Sequence, residues 1–161
     1  MGVQPADIRR HLDRILGDEA RLLAELEQVL RRESDVVRGD DATAIENIGG
    51  SRQHCVDSLG RRDAERTTTC RMLSFGEGRT GFEKLLAWCD SDRKLRARWQ
   101  RNLEVAGRCK DLNDRNGAVV ALKLGQVQQL LATLRGGSVE PAYGRQGARF
   151  DGFARRELGQ A

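Results

Sequence analysis

The chain has 161 residues, of which 39% are hydrophobic, 32% charged and only 4% aromatic. That composition is too apolar for a disordered chain and too poor in large rings for a deep globular core, so it points to one elongated helical domain with a narrow apolar seam. The net charge of +4 comes with acidic and basic residues mixed along the chain, the pattern of a solvated surface rather than of a basic tail built to grip nucleic acid.

The four cysteines, Cys55, Cys70, Cys89 and Cys109, form no CxxC pair. The first residues, Met1 to Asp7, lack the charged-then-apolar layout of a secretory signal. No apolar run approaches the ~20 residues that span a bilayer. These features lead us to expect a cytoplasmic protein with reduced, mostly structural thiols and no stable membrane insertion.

Pro5-Ala6-Asp7 suits a helix start, because proline fits the first turn and an acid fits the positive helix end. Ile8, Leu12, Ile15, Leu22, Leu26 and Val29 then recur at spacings of three, four or, where Glu19 interrupts, seven, with Leu16, Leu23 and Leu30 widening the stripe. This predicts a long amphipathic helix ending near Gly39. Asp40 and Asp41 can cap the next one, and so short a loop predicts an antiparallel partner. The second helix, from Asp41 to about Ser74, has a weaker seam of Ile45, Ile48, Cys55, Leu59, Cys70 and Leu73. Gly49, Gly50 and Gly60 predict a kink or raised mobility there. Arg62, Arg66 and Thr69 at seam-like positions predict that the far end of this hairpin is solvated.

Phe75 to Gly81 is a loop that spells GxGxxG. A phosphate-binding reading needs a strand before it, and the preceding pattern is helical, so these glycines read as a hinge. A short helix follows, from Thr80 to about Trp88, then a break that Asp90 or Ser91 can cap. The last helix runs from about Ser91 to Arg135, ~65 Å at 1.5 Å per residue. Its inward positions continue to the end through Leu95, Trp99, Leu103, Ala106, Cys109, Asn113, Asn116, Val120, Leu124, Val127, Leu131 and Leu134. Gly136-Gly137 ends it. The expected fold is therefore all-α: an elongated antiparallel helical bundle or coiled coil of three long helices plus one short helix over residues 1–135. A flexible, glycine-rich C-terminal docking tail over 136–161 completes it, with Phe150 and Phe153 on one face of a possible short helix.

Arg93 to Arg101 is the densest basic patch, but Trp99 is in phase with Leu95 and Leu103, which places the ring in the seam and the bases on the solvated face. His11 and His54 are the only histidines, and no Cys or His cluster has structural zinc spacing, so neither metal nor cofactor is expected. Asn113 and Asn116 lie three apart within the seam, where a buried asparagine fixes register, and Gly117 permits close approach of another helix or backbone. These three are candidates for a partner-binding notch.

With these residues in view, the sequence resembles the FlgN family of flagellar type III export chaperones. The resemblance rests on Leu112-Asn113-Asp114-Arg115-Asn116-Gly117, the apolar run from Val119 to Leu134, and Tyr143-Gly144-Arg145-Gln146-Gly147. It implies a cytoplasmic chaperone, not an enzyme, that binds the hook-filament junction proteins FlgK and FlgL, prevents their premature assembly and delivers them to the export gate component FlhA. It also implies a substrate surface including Leu124, Val127, Leu131 and Leu134, with Phe150 and Phe153 of the tail, and gate docking through Tyr143 and Gly144. An incomplete apolar seam is compatible with a monomer or a weak homodimer. Two readings of other classes stand beside it. A helical protein binding nucleic acid or a membrane surface through its basic face would lose binding steeply with salt. An enzyme built on His54-Cys55 or Cys89 would be sensitive to alanine replacement there.

Overall fold

The computed structural model describes residues 2–134, and the expected tail, 136–161, lies outside them. The described residues form four helices: α1 (Pro5–Val36), α2 (Ala42–Met72), α3 (Gly78–Cys89) and α4 (Lys94–Leu134). There is no strand among them. The three long helices and one short helix are those that the periodicity predicts.

Helix α1 starts on Pro5 with Asp7 in its first turn. Its stripe is almost completely shielded: Leu12, Ile15 and Leu16 have no exposed surface, and Leu26 and Leu30 are 1% exposed. Fully burying each such side chain contributes about 1.5–3 kcal/mol, so this one face dominates the stability of the bundle. Asp41 caps α2, its Oδ1 accepting from the Ala44 N–H at 3.0 Å. Asp90 caps α4, accepting from Leu95 N–H at 3.2 Å and Arg96 N–H at 2.8 Å.

α1 is the middle of the structure. Going from Glu19 to Glu33 along α1, the α2 partner steps back from Arg66 to Arg52, so α2 is antiparallel. Against α4 the opposite holds. Asn102, Cys109 and Asn116 reach the carbonyls of Leu16, Leu23 and Leu30 at a constant offset of 86 residues, so α4 runs parallel to α1. Helix α3 makes this possible. It packs Phe82, Leu85, Leu86 and Cys89 across the end of the bundle where α1 begins and α2 finishes, against Leu12, Ile15, Leu16, Leu95 and Trp99, and carries the chain across from α2 to the start of α4. A second cluster fills the middle, joining Leu22, Leu23, Leu26, Val29 and Leu30 of α1 to Cys55 and Leu59 of α2 and to Ala106 and Cys109 of α4.

Helix α2 is not interrupted at Gly49, Gly50 or Gly60. Packing of Ile48, Cys55, Val56 and Leu59 on the central cluster holds the helix where propensity alone would break it. One expectation is corrected. The far end of the hairpin is not solvated: Arg66 is 7% and Thr69 8% exposed. Helix α3 covers this end, with the Arg66 guanidinium 4.9 Å from the Phe82 ring centroid and also paired to Glu19 and Asp63.

The glycine loop is a hinge between helices. Gly76 and Gly78 have φ of 90° and 69°, a region that favours glycine. A Cβ on Gly81 would lie 2.6 Å from both the carbonyl carbon and the oxygen of Gly76. Gly81→Ala is therefore expected to lower unfolding stability by about 1–3 kcal/mol, the usual range for forced overpacking, measured by urea denaturation. An equal-stability variant would show that the loop yields at no cost.

Candidate functional site

The α1–α4 contact is built on a seven-residue repeat. Asn102 Nδ2 donates to Leu16 O at 3.0 Å, Cys109 Sγ to Leu23 O at 3.7 Å, and Asn116 Nδ2 to Leu30 O at 2.9 Å. These carbonyls lie inside a helix, and the side chains use their second lone pair. The two asparagines do more. Asn102 also donates to Glu19 at 3.3 Å, and Asn116 to Glu33 at 2.9 Å. Each glutamate in turn faces an arginine of α2, Glu19 with Arg66 at 3.4 Å and Glu33 with Arg52 at 2.8 Å. Two buried polar nodes thus tie all three long helices, and a shift of one residue would leave buried polar groups without partners. Burial holds the Glu19 carboxyl above its usual range, opposed by Arg66 and by the hydrogen bond from Asn102.

This places the asparagine cluster. Asn116 is 3% exposed and its amide nitrogen is committed to α1. Asn113 is half-buried, and Gly117 is exposed with nothing within 4 Å of where a Cβ would sit. Among the described residues the geometry brings no second backbone up to Gly117. Asn102 and the paired Glu19 and Glu33 were not singled out from the sequence, although their fourteen-residue spacing was a readable signal: it returns a residue to the same face of a packed helix after two heptads.

The register has a consequence further along. α1 ends at Val36, and the last hydrogen bond from α4 to the end of this hairpin arm among the described residues is from Lys123, whose Nζ donates to Gly39 O at 2.6 Å. Helix α4 continues to Leu134, ~16 Å past that tie at 1.5 Å per residue. The seam that faced α1 continues with it: Val120, Leu124, Val127, Leu131 and Leu134 fall at the same three-four spacing as Ala106, Cys109, Asn113 and Asn116. Past α1 these side chains are uncovered among the described residues, with Leu124 58%, Val127 53%, Leu131 44% and Leu134 74% exposed. Leu122 and Leu130, off the seam, are exposed as well. From Leu124 to Leu134 the chain carries no charged residue. An apolar stripe of this kind is the half of a helix–helix interface that lacks its second half. Tyr143, Gly144, Phe150 and Phe153 lie outside the described residues.

The other candidate chemistry fares differently. Trp99 is 5% exposed and packed edge-on against Phe82 at 5.1 Å, so it offers no face to a base. All four cysteines are free and buried. Burial pushes each thiol up, Cys109 to about 11, the opposite direction from a reactive thiolate. His54 is exposed beside the buried Cys55. Among the described residues no group of three or more His, Cys, Asp or Glu could hold a metal ion, and no helix is long and apolar enough to cross a membrane.

Residues 10–149 match the family model described as FlgN protein. No curated protein and no solved structure matches the chain.

Proposed function

Because this chain belongs to the FlgN family, a family of flagellar export chaperones, we propose that it holds hook-filament junction proteins of the FlgK and FlgL type on the uncovered end of α4 and delivers them to the export gate component FlhA. The observation that carries this reading is the continuation of the α1-facing seam beyond α1. Leu124, Val127, Leu131 and Leu134 form a ready-made groove partner for an amphipathic helix of the substrate. Occupying it would hide the segments through which junction proteins assemble, and release needs no covalent step.

In this reading the tail joins the work. Phe150 and Phe153 close over bound substrate, and Tyr143 with Gly144 contacts the gate. The protein acts in the cytoplasm as a monomer or weak homodimer, with substrate completing the seam. The buried and committed position of Asn116 supports a role for it in holding register, with Asn113 and Gly117 contributing at the margin of the substrate surface.

The direct test is co-purification of the full chain with FlgK and FlgL from a lysate of a flagellated bacterium. Enrichment of either, persisting at high salt as apolar contacts do, is the expected outcome. If neither is enriched, or if capture collapses with salt, the reading fails. Tyr143→Ala is expected to retain substrate while losing affinity for FlhA, measured with the purified gate domain; unchanged gate affinity would remove the tyrosine from the docking contact.

A further inference from the structure

We propose that the cleft between the first turns of α1 and α4 is a docking site for an acidic segment of a partner protein. The cleft has a volume of about 510 Å³ and is lined by Arg9, Arg10 and Asp13 of α1 and by Lys94, Arg98 and Arg101 of α4. The parallel course of the two helices creates it: the basic row that opens α4 comes to lie beside the basic row that opens α1. Sequence mixing of charges does not reveal this, because the rows are far apart in the chain.

The two central arginines are fixed in place without being used up. Arg9 places Nη2 against both carboxylate oxygens of Asp92, at 2.8 and 2.7 Å. Asp92 is held down to about 2 by this pairing, so the clamp stays ionised across the physiological range. Arg98 places Nη1 against Asp13 Oδ1 at 2.8 Å and Asp13 O at 3.1 Å. Each guanidinium is thus anchored through one terminal nitrogen. The remaining terminal nitrogen and Nε of each make no hydrogen bond among the described residues. An arginine held this way presents a planar fork with its ordering cost already met, the arrangement suited to a carboxylate. Lys94, 79% exposed, pairs with Asp92 at 3.4 Å, and Arg101 is exposed and makes no hydrogen bond or ion pair among the described residues.

Size and lining choose the ligand. The cleft accommodates a few side chains. It offers no aromatic face for stacking, since Trp99 points into the core, and stacking is what single-stranded nucleic acid requires. Asp13, the one acidic side chain in the lining, is already paired with Arg98, so the basic side chains set the sign of the cleft. The site lies ~40 Å along α4 from the uncovered seam at 1.5 Å per residue, so both ends of the molecule can be occupied at once. It stands independently of what the apolar end binds.

Fluorescence anisotropy on the full chain tests this, with labelled octaglutamate, octaglutamine and oligothymidylate as probes. Octaglutamate is expected to bind, octaglutamine not, and the double variant Lys94→Glu/Arg101→Glu to weaken octaglutamate by about tenfold or more, with affinity falling as salt rises. Lys84→Glu, a single charge reversal on α3 outside the cleft, is the comparison and is expected to bind as the parent does. Both replaced residues of the double variant are exposed and neither has a buried partner, so the fold persists, which circular dichroism checks. No octaglutamate binding at low salt, or equal loss in the Lys84→Glu variant, overturns the proposal. So does oligothymidylate binding that matches or exceeds octaglutamate and depends on Lys94 and Arg101, which would make the cleft a nucleic-acid site.

Discussion

Replacing Val127 and Leu131 together with aspartate is expected to abolish capture of the junction proteins and leave the protein folded. The two side chains are 53% and 44% exposed, so little native packing is lost and the melting temperature should stay close to that of the parent. On binding, each would give up water-exposed apolar surface. Completing the burial of two such side chains contributes about 3 kcal/mol, roughly a hundredfold in affinity, and a charge buried in their place adds to the loss. Gln126→Asp, an exposed position away from the seam, puts the same charge on the same overhang and should bind within a few-fold of the parent. Titration calorimetry against purified FlgK and FlgL compares the three. Parent-like affinity in the double variant would mean that substrate lies elsewhere.

The largest effect on stability is expected at Arg66. This residue is 7% exposed, faces Glu19 and Asp63, and lies over Phe82. Arg66→Met leaves Glu19 buried with only Asn102 and the more distant Arg62 to favour its charge, with Asp63 opposing it. Removing one partner of a buried pair costs about 3–5 kcal/mol, or on the order of 10 °C in melting temperature for a domain of this size.

The pH dependence separates this from a simple packing defect. Glu19 already has a folded-state pKa raised by burial, and loss of Arg66 raises it further. A carboxyl raised on folding contributes stability that is complete below its unfolded pKa and is lost as pH rises through the folded one. The deficit of the variant should therefore be largest near neutral pH and shrink on acidification toward the unfolded carboxylate range, read as the gap between urea midpoints. A gap that does not change with pH would assign the loss to packing alone. A variant as stable as the parent at neutral pH would show that the node contributes nothing.

The sequence by itself determined the helices and their seams. Spacing of leucine, isoleucine and valine at three and four defines α1 and α4 because a helix has only one face to bury. Proline at the start of α1 and the acids at 41 and 90 define termini because the first N–H groups of a helix need acceptors. The exposed seam at the end of α4 was legible too, as a periodicity that continued to Leu134. What could not be read was that it would be uncovered. That depends on the register between α1 and α4, which is set by Asn102, Cys109 and Asn116 reaching carbonyls 86 residues earlier, and no local pattern encodes such an offset.

The misreading of α2 has the same origin. Its arginines describe a wet helix end if taken alone, but α3 folds over Arg66. Tertiary structure also decided the direction of α4. A parallel return requires α3 to carry the chain across the end of the bundle, and only that return sets the basic turns of α1 and α4 side by side and lets one helix outrun the other. Periodicity specifies which face of a helix is buried, because that follows from the geometry of a single element. Direction, register and the point where a partner runs out are properties of pairs of helices, fixed by the few polar contacts that one arrangement satisfies and its neighbours do not.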